Sequence, residues 1–377
     1  MVGVPTVTSG YNSRMRRLWQ KVFKFWQRYE HHFGVVALLA GFLFDLWIAD
    51  RPDSVANNLF LLSYLFVAGA LIIVLNLRET RRKEGTSAEP LFLLLILQFC
   101  FGGLASNLLV LYGHSGTFAS SALFLGILVA LIFGNEYMRS RYVRLHFNVA
   151  VYYFLLLTYC IIAVPTFIFH SVGTLVFVMS GLVSLGVIAT FLFLLYGAVL
   201  RRTAHGLHDV SILVATIFFL FNGLYFLDVI PPVPLSLKNI GVYHTVLKQS
   251  GGGYLAAYEV PEWYAFWRDT SAVYTVAPAE GAATASCFSS VFAPTGLTTS
   301  VYHRWEAFDP QSGEWQSMAQ ISYPISGGRD GGYKGYSIKT VTPGRWRCDV
   351  ETASGALIGR VSFDVVAGQP ALSQTVL

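Results

Sequence analysis

Seven long apolar stretches within the first 230 residues constrain this chain more than any other feature: roughly 33–48, 55–77, 90–112, 118–134, 147–169, 173–199 and 210–230. A helix needs about 20 mostly apolar residues to cross a bilayer. Inside hydrocarbon its backbone groups must all bond internally, which favours helices for such runs. Charged residues make up only 12% of the chain, against roughly 25% in soluble proteins, so the whole cannot be a soluble globular, disordered or coiled-coil protein. Residues 1–237 hold 16 Lys/Arg and 10 Asp/Glu, whereas residues 238–377 hold 10 and 11. The expected architecture is an α-helical transmembrane bundle of seven spans followed by an all-β, immunoglobulin-like antiparallel sandwich. Its parts are a basic amphipathic segment (1–32), the seven-span domain (33–230), a linker (231–252) and the β domain (253–377).

Basic residues in the short connections set orientation. On one side lie Arg14, Arg16, Arg17, Lys21, Lys24 and Arg28, then Arg78, Arg81, Arg82 and Lys83, then Arg139, Arg141 and Arg144, then Arg201 and Arg202; the other side has Arg51. This bias predicts a cytoplasmic N-terminus and a periplasmic β domain. The first stretch runs into FDLWIADRPD and more spans follow, so it reads as a retained span rather than a cleaved leader. Ahead of it, Met15, Leu18, Trp19, Val22, Phe23, Phe25, Trp26 and Tyr29 form an apolar face opposite the basic residues. That helix would lie on the anionic leaflet or simply anchor the first span.

Ionisable groups within spans are functional candidates because burying them is costly. Asp45 and Asp228 fall near the outer ends of the first and last spans, and Gln98 and Asn222 are uncharged polar positions. They read as an ion or small-molecule site, or as solvated helix ends and interhelical hydrogen bonds.

After PPVP (231–234), which no helix continues, come candidate strands at 253–260, 284–293, 298–308, 315–323, 333–342, 345–352 and 356–366, separated by Gly-rich and Asp-rich turns. In RWRCDVE, Trp346, Cys348 and Val350 alternate with Arg345, Arg347, Asp349 and Glu351, predicting one buried and one wet face. By the same period His303, Trp305 and Ala307 share a face. Trp305 and Trp346 read as core pillars, while Trp315, Tyr333 and Tyr336 would form a stacking surface for sugar or peptide unless they pack inward. Cys287 and Cys348 are the possible disulfide of this domain. None of the common nucleophile, metal or phosphate-loop motifs is present, so no cofactor, metal or nucleic acid is implied and no enzyme activity is expected.

The strings YHRWEAF, GGYKGYSIK and GRWRCDVETASGALIGRVSFDV resemble the C-terminal domain of the DUF2914-type bacterial membrane proteins, and GFLFD, QFCFGGLAS and GNEYMRSRY resemble that family's membrane half. The resemblance points to His303, Trp305, Ser337, Gly344 and Trp346 in the domain and to Asp45, Asn135 and Glu136 in the membrane half. The family is uncharacterised, so it implies an architecture and a bacterial inner-membrane setting but no reaction. The expected function is a non-enzymatic inner-membrane protein presenting a β-sandwich to an envelope protein or cell-wall glycan. The alternative is a seven-helix sensor or transport accessory.

Overall fold

The structure, a computed structural model, describes residues 43, 51–80, 91–113, 126–127, 141–198, 206–227, 229–230, 232–251, 253–265, 268–277 and 281–377. Five helices there are long and apolar enough to cross a membrane: α1 (Val55–Thr80), α2 (Leu91–Gly113), α3 (Arg141–Val164), α4 (Thr174–Ala198) and α5 (Gly206–Phe226). They match five of the seven apolar stretches. The expected spans at 33–48 and 118–134 lie, apart from Leu43 and residues 126–127, outside the described residues.

Ser54 starts α1 by accepting a hydrogen bond from the Asn57 backbone N–H at 3.4 Å. α3 ends where Pro165 removes a donor, and the chain widens into a π-turn, Pro165–Phe169, stopped by His170 in the left-handed region (φ 47°). Most of α3 is buried among the other helices, whereas α5 turns much of its surface outward. Buried polar side chains tie the described helices together. Asn57 and Asn107 exchange amide hydrogen bonds at 3.2 and 2.6 Å. Tyr159 donates to Asn58 Oδ1 at 3.2 Å, and Tyr112 donates to the Thr158 carbonyl at 3.0 Å. These pairs join the start of α1 to the ends of α2 and α3, so α1 and α2 are antiparallel while α2 and α3 run in the same direction.

Among the described residues eleven strands follow: β1 (Ser236–Tyr243), β2 (Thr245–Lys248), β3 (Tyr254–Glu259), β4 (Val273–Val276), β5 (Ala283–Phe292), β6 (Thr298–Asp309), β7 (Glu314–Ser326), β8 (Tyr333–Val341), β9 (Gly344–Thr352), β10 (Leu357–Ala367) and β11 (Leu372–Val376). Seven match the sequence reading. The segment read as a linker instead contains β1 and β2. β2, β4 and β11 were missed because strands of four or five residues are too short for alternation to show, and β1 because the consecutive buried run Gly241, Val242 and Tyr243 breaks its period.

The strands form a sheet β1-β5-β8, a sheet β4-β10-β9-β6-β7 and a small sheet β11-β3-β2. All pairings are antiparallel except β10 with β4. The first two face each other across a shared core: Val242, Ala285, Cys287 and Val341 from one meet Trp305, Trp346, Cys348, Phe363 and Val365 from the other. Cys287 on β5 and Cys348 on β9 are joined in a disulfide that staples the two layers. The small sheet packs on the outside of β5 through Val246, Ala256, Tyr254 and Phe288.

The β domain is seated directly on the helix ends. Its lower core, with Leu297, Val301, Val350 and Ile358, takes in Val172 from the loop before α4. Asp53, ahead of α1, accepts hydrogen bonds from the Thr295 backbone N–H at 3.0 Å and its hydroxyl at 2.8 Å. Arg51 pairs with Asp330 and lies 3.6 Å from Asp53.

Candidate functional site

A buried polar network lies beside the disulfide. β6 alternates, so His303 and Trp305 point inward and both are fully buried. Ser289 comes from β5, Ser337 from β8 and Tyr323 from β7. His303 bonds Ser289 Oγ through Nε2 and Ser337 Oγ through Nδ1, each at 2.8 Å. Ser337 also accepts the Trp305 indole N–H at 2.9 Å, and Ser289 lies 2.5 Å from the Tyr323 hydroxyl.

Proton counting gives this chain a direction. An indole can only donate, so Ser337 accepts from Trp305 and its own proton is free for His303 Nδ1. Nε2 then carries the ring proton and donates to Ser289, which donates to Tyr323. The one proton left over sits on Tyr323, the half-buried member, rather than on sealed Ser337. Burial holds the His303 pKa down to about 3 and pushes the Tyr323 hydroxyl up to about 12. The imidazole is therefore neutral, with both nitrogens occupied, and is suited to joining two sheets rather than to exchanging protons with a substrate. Tyr323 can lie across the sheet because residue 335 is glycine: a Cβ there would sit 2.6 Å from the Tyr323 ring.

His303, Cys287 and Cys348 bring one potential metal-ligating atom each within 4.8 Å of one another. Metals bind thiolate, and both sulfurs are spent in the disulfide, so this set does not fit a metal while the bond is intact.

The opposite face of the five-stranded sheet departs from the expected wet surface. Glu306, Asp349 and Glu351 are each under 10% exposed. Across strands, Asp349 takes Arg360 in a two-pronged pair, Glu306 takes Arg347, and Glu351 takes Arg304 at 2.7 Å. The guanidinium planes and their stems roof the carboxylates. Burial still raises the Glu351 carboxyl above its ordinary range, against the lowering effect of Arg304, and the hydrogen bond to Asp349 raises the Arg360 pKa.

The expected aromatic surface does not form. Trp315 packs against Phe308 (5.4 Å) and under Arg347 (4.4 Å) on the outer face of the five-stranded sheet. Tyr336 sits edge-on to Tyr254 on the outside of the other sheet, while Tyr333 faces inward beside Ile325 and Val291 with Arg329 over its ring. Alternation along β8 puts Tyr333 and Tyr336 on opposite faces, and β7 belongs to another layer. Trp346 is buried, its indole donating to the Thr342 carbonyl at 2.9 Å. Gly344 opens the same strand in the left-handed region.

In the helical half, Asn222 donates to the Phe218 carbonyl of its own helix at 2.7 Å. Among the described residues, Gln98 Oε1 is buried without a hydrogen-bond partner. Asp45, Asn135, Glu136 and Asp228 lie outside the described residues.

Sequence reasoning missed Trp263 and Tyr264, 91% and 55% exposed on the turn after β3. Their one local signal was a Trp-Tyr pair directly after Pro261-Glu262, outside any alternating run.

Residues 298–365, from β6 almost to the end of β10, match the family model described as "Protein of unknown function (DUF2914)". The match contains His303, Trp305, Ser337, Gly344 and Trp346, and the helical half lies outside it. No curated protein matches this chain. Among solved structures, it aligns with the Pseudomonas fluorescens alkylpurine DNA glycosylase AlkC bound to DNA containing an abasic site analog, at 10% identity, covering 84% of this chain and 99% of that one. The TM-score of 0.19 is too low for that likeness to carry an argument.

Proposed function

We propose that this chain is a non-enzymatic, multi-pass protein of the bacterial inner membrane. In this reading an immunoglobulin-like domain, seated on the periplasmic ends of seven helices, binds an envelope partner, either a protein or a cell-wall glycan. A sixth span, at 118–134, is supported by direction: α2 and α3 run the same way, so the chain between Gly113 and Arg141 has to cross once more, while the seventh, at 33–48, is supported by its apolar run and the alternation of basic residues. The orientation rests on basic residues in the connections, which crowd the side away from the β domain, leaving Arg51 on the domain side, paired with Asp330. An immunoglobulin-like fold is supported by a disulfide between the two layers, a buried Trp305 on the strand after Cys287, and a residue two before the second cysteine that bonds back to upstream backbone, the role of the tyrosine corner taken here by Trp346.

The observation that carries the binding role is the exposed Trp263–Tyr264 pair on a domain braced by the disulfide. Large aromatics on a rigid support are what interface hot spots are made of, while the sealed His303 argues against catalysis. The test places a photo-crosslinking amino acid at position 263 of the full chain in living cells, with position 338 as an exposed control, and sediments the solubilised protein with cell-wall sacculi. Discrete adducts at position 263 that position 338 does not give, or sacculus binding that is lost in Trp263→Ala, are expected. Equal behaviour at 263 and 338 would overturn the reading.

The sensor or transport-accessory reading is favoured by the direct contacts of Asp53 with Thr295 and of Arg51 with Asp330. Through them a change in the domain would reach α1. It requires that Asp53→Ala alter helix accessibility when the domain is occupied.

A further inference from the structure

A cavity of about 310 Å³ lies at the junction of the membrane half and the β domain. Its floor is the domain-side ends of three helices: Ile161 and Pro165, Val176 and Phe177, and Tyr225, whose ring stacks on Phe177 at 3.5 Å. Its opposite wall is Thr299 and the turn Thr352, Ala353, Ser354 and Ala356 between β9 and β10. The volume equals about ten waters at ~30 Å³ each, too much space on too apolar a floor for ordered water alone. None of the described residues lining it is charged.

Two further observations bear on what fills it. Around the same helix ends runs a collar of exposed apolar side chains: Phe167, Ile168 and Phe169 of the π-turn, Leu175, Phe226 and Leu227. Such a collar faces acyl chains, so the cavity borders lipid as well as the domain. The wall also has hydrogen-bond donors to spare. Thr352 and Ser354 hydroxyls lie 2.9 Å apart, and the Ala356 N–H donates to Thr352 Oγ1. Whichever hydroxyl donates to the other, one proton of the pair remains for an outside acceptor, and Thr299 adds a second. Pro165 of the π-turn lines the site, and irregularities of this kind cluster where ligands bind.

We propose that this cavity holds the glycerol–ester region of one phospholipid from the leaflet on the β-domain side. Its ester carbonyls accept from the Thr299 and Thr352/Ser354 hydroxyls, its first methylenes rest on Phe177 and Tyr225, and its charged headgroup stays outside the described lining, which offers it no countercharge. The inference rests on reading the helices as membrane-spanning. The small side chains of the β9–β10 turn are then what leaves room for the lipid.

The test uses the full chain in phosphatidylethanolamine/phosphatidylglycerol vesicles doped with either of two phospholipids, one with a diazirine next to the ester and one with a diazirine at the end of the acyl chain. Photolabel is mapped by mass spectrometry. The ester-proximal probe is expected to mark the segments around 161–177 and 352–356. Ala356→Trp, which fills the space, is expected to cut that label by about tenfold, a loss corresponding to ~1.4 kcal/mol. Ala353→Trp is the second filling variant, and unchanged terminal-probe labelling at Phe193 and Phe219 certifies that each variant is folded and inserted. Ester-proximal labelling no higher at the cavity than along the exposed helix faces, or unaffected by either folded variant, would overturn the proposal. Absence of terminal-probe labelling at Phe193 and Phe219 in the unmodified protein would instead overturn the membrane reading beneath it, and the proposal with it.

Discussion

Replacing Ser337 by alanine removes one oxygen and leaves the core volume nearly unchanged, so its cost measures the buried network itself. Ser337 is 3% exposed, accepts the Trp305 N–H at 2.9 Å and bonds His303 Nδ1 at 2.8 Å, with both partners fully buried. The truncation orphans an indole donor and an imidazole nitrogen where water cannot reach either. Each buried group left without a partner costs about 1–3 kcal/mol, so Ser337→Ala is expected to destabilise the domain by roughly 2–6 kcal/mol, a large share of the ~5–15 kcal/mol typical of a domain. Ser289→Ala is expected to cost less, because one of its two partners, Tyr323, is only half-buried and can turn to solvent. Pulse proteolysis in urea, on the full chain in detergent, reads the unfolding midpoint of the β domain directly. Combining Ser337→Ala with His303→Leu removes one of the two orphans, so the double variant should be less destabilised than the two single losses added together. A Ser337→Ala cost below about 1 kcal/mol, or strict additivity, would refute the reasoning.

Three more outcomes follow from the same geometry. Burial holds the His303 pKa at about 3 in the folded domain, so only the unfolded chain takes up its proton below the ordinary value near 6.5. The stabilisation present above pH ~6.5 should therefore be lost toward pH ~3, at up to ~1.4 kcal/mol per pH unit. The difference between wild type and His303→Phe at pH 7 and 4.5 isolates that slope, since Glu351, whose carboxyl is raised by burial, works in the opposite sense in both proteins. Removing both Cys287 and Cys348, which close a separation of 61 residues, is expected to cost about 4 kcal/mol on the chain-entropy estimate, read as a lowered urea midpoint; no shift would mean the bond is not formed in the cell. Gly335→Ala puts a Cβ 2.6 Å from the Tyr323 ring and should cost about 1–3 kcal/mol, largely relieved in a Tyr323→Ala background; an unrelieved cost would place the strain elsewhere.

The sequence by itself determined the elements whose signal is local. Five apolar stretches became α1–α5 because a run of some 20 apolar residues has few other ways to satisfy its backbone. Alternation in YHRWEAF and RWRCDVE put His303, Trp305, Trp346 and Cys348 on inward faces, since side chains in a strand change sides at every residue. What surrounds those faces was not legible. Alternation marks two sides of a strand without saying what covers either, so Asp349 and Glu351 read as wet although arginines from β6 and β10 roof them. Trp315, Tyr333 and Tyr336 looked like neighbours along the chain but belong to separate faces, because strand order rather than sequence distance decides which side chains meet. The partners of His303 come from β5, β7 and β8, and the junction cavity from helix ends and a turn nearly 200 residues apart. Such long-range contacts leave no periodic trace in any one segment, and only the packing of the layers brought them together.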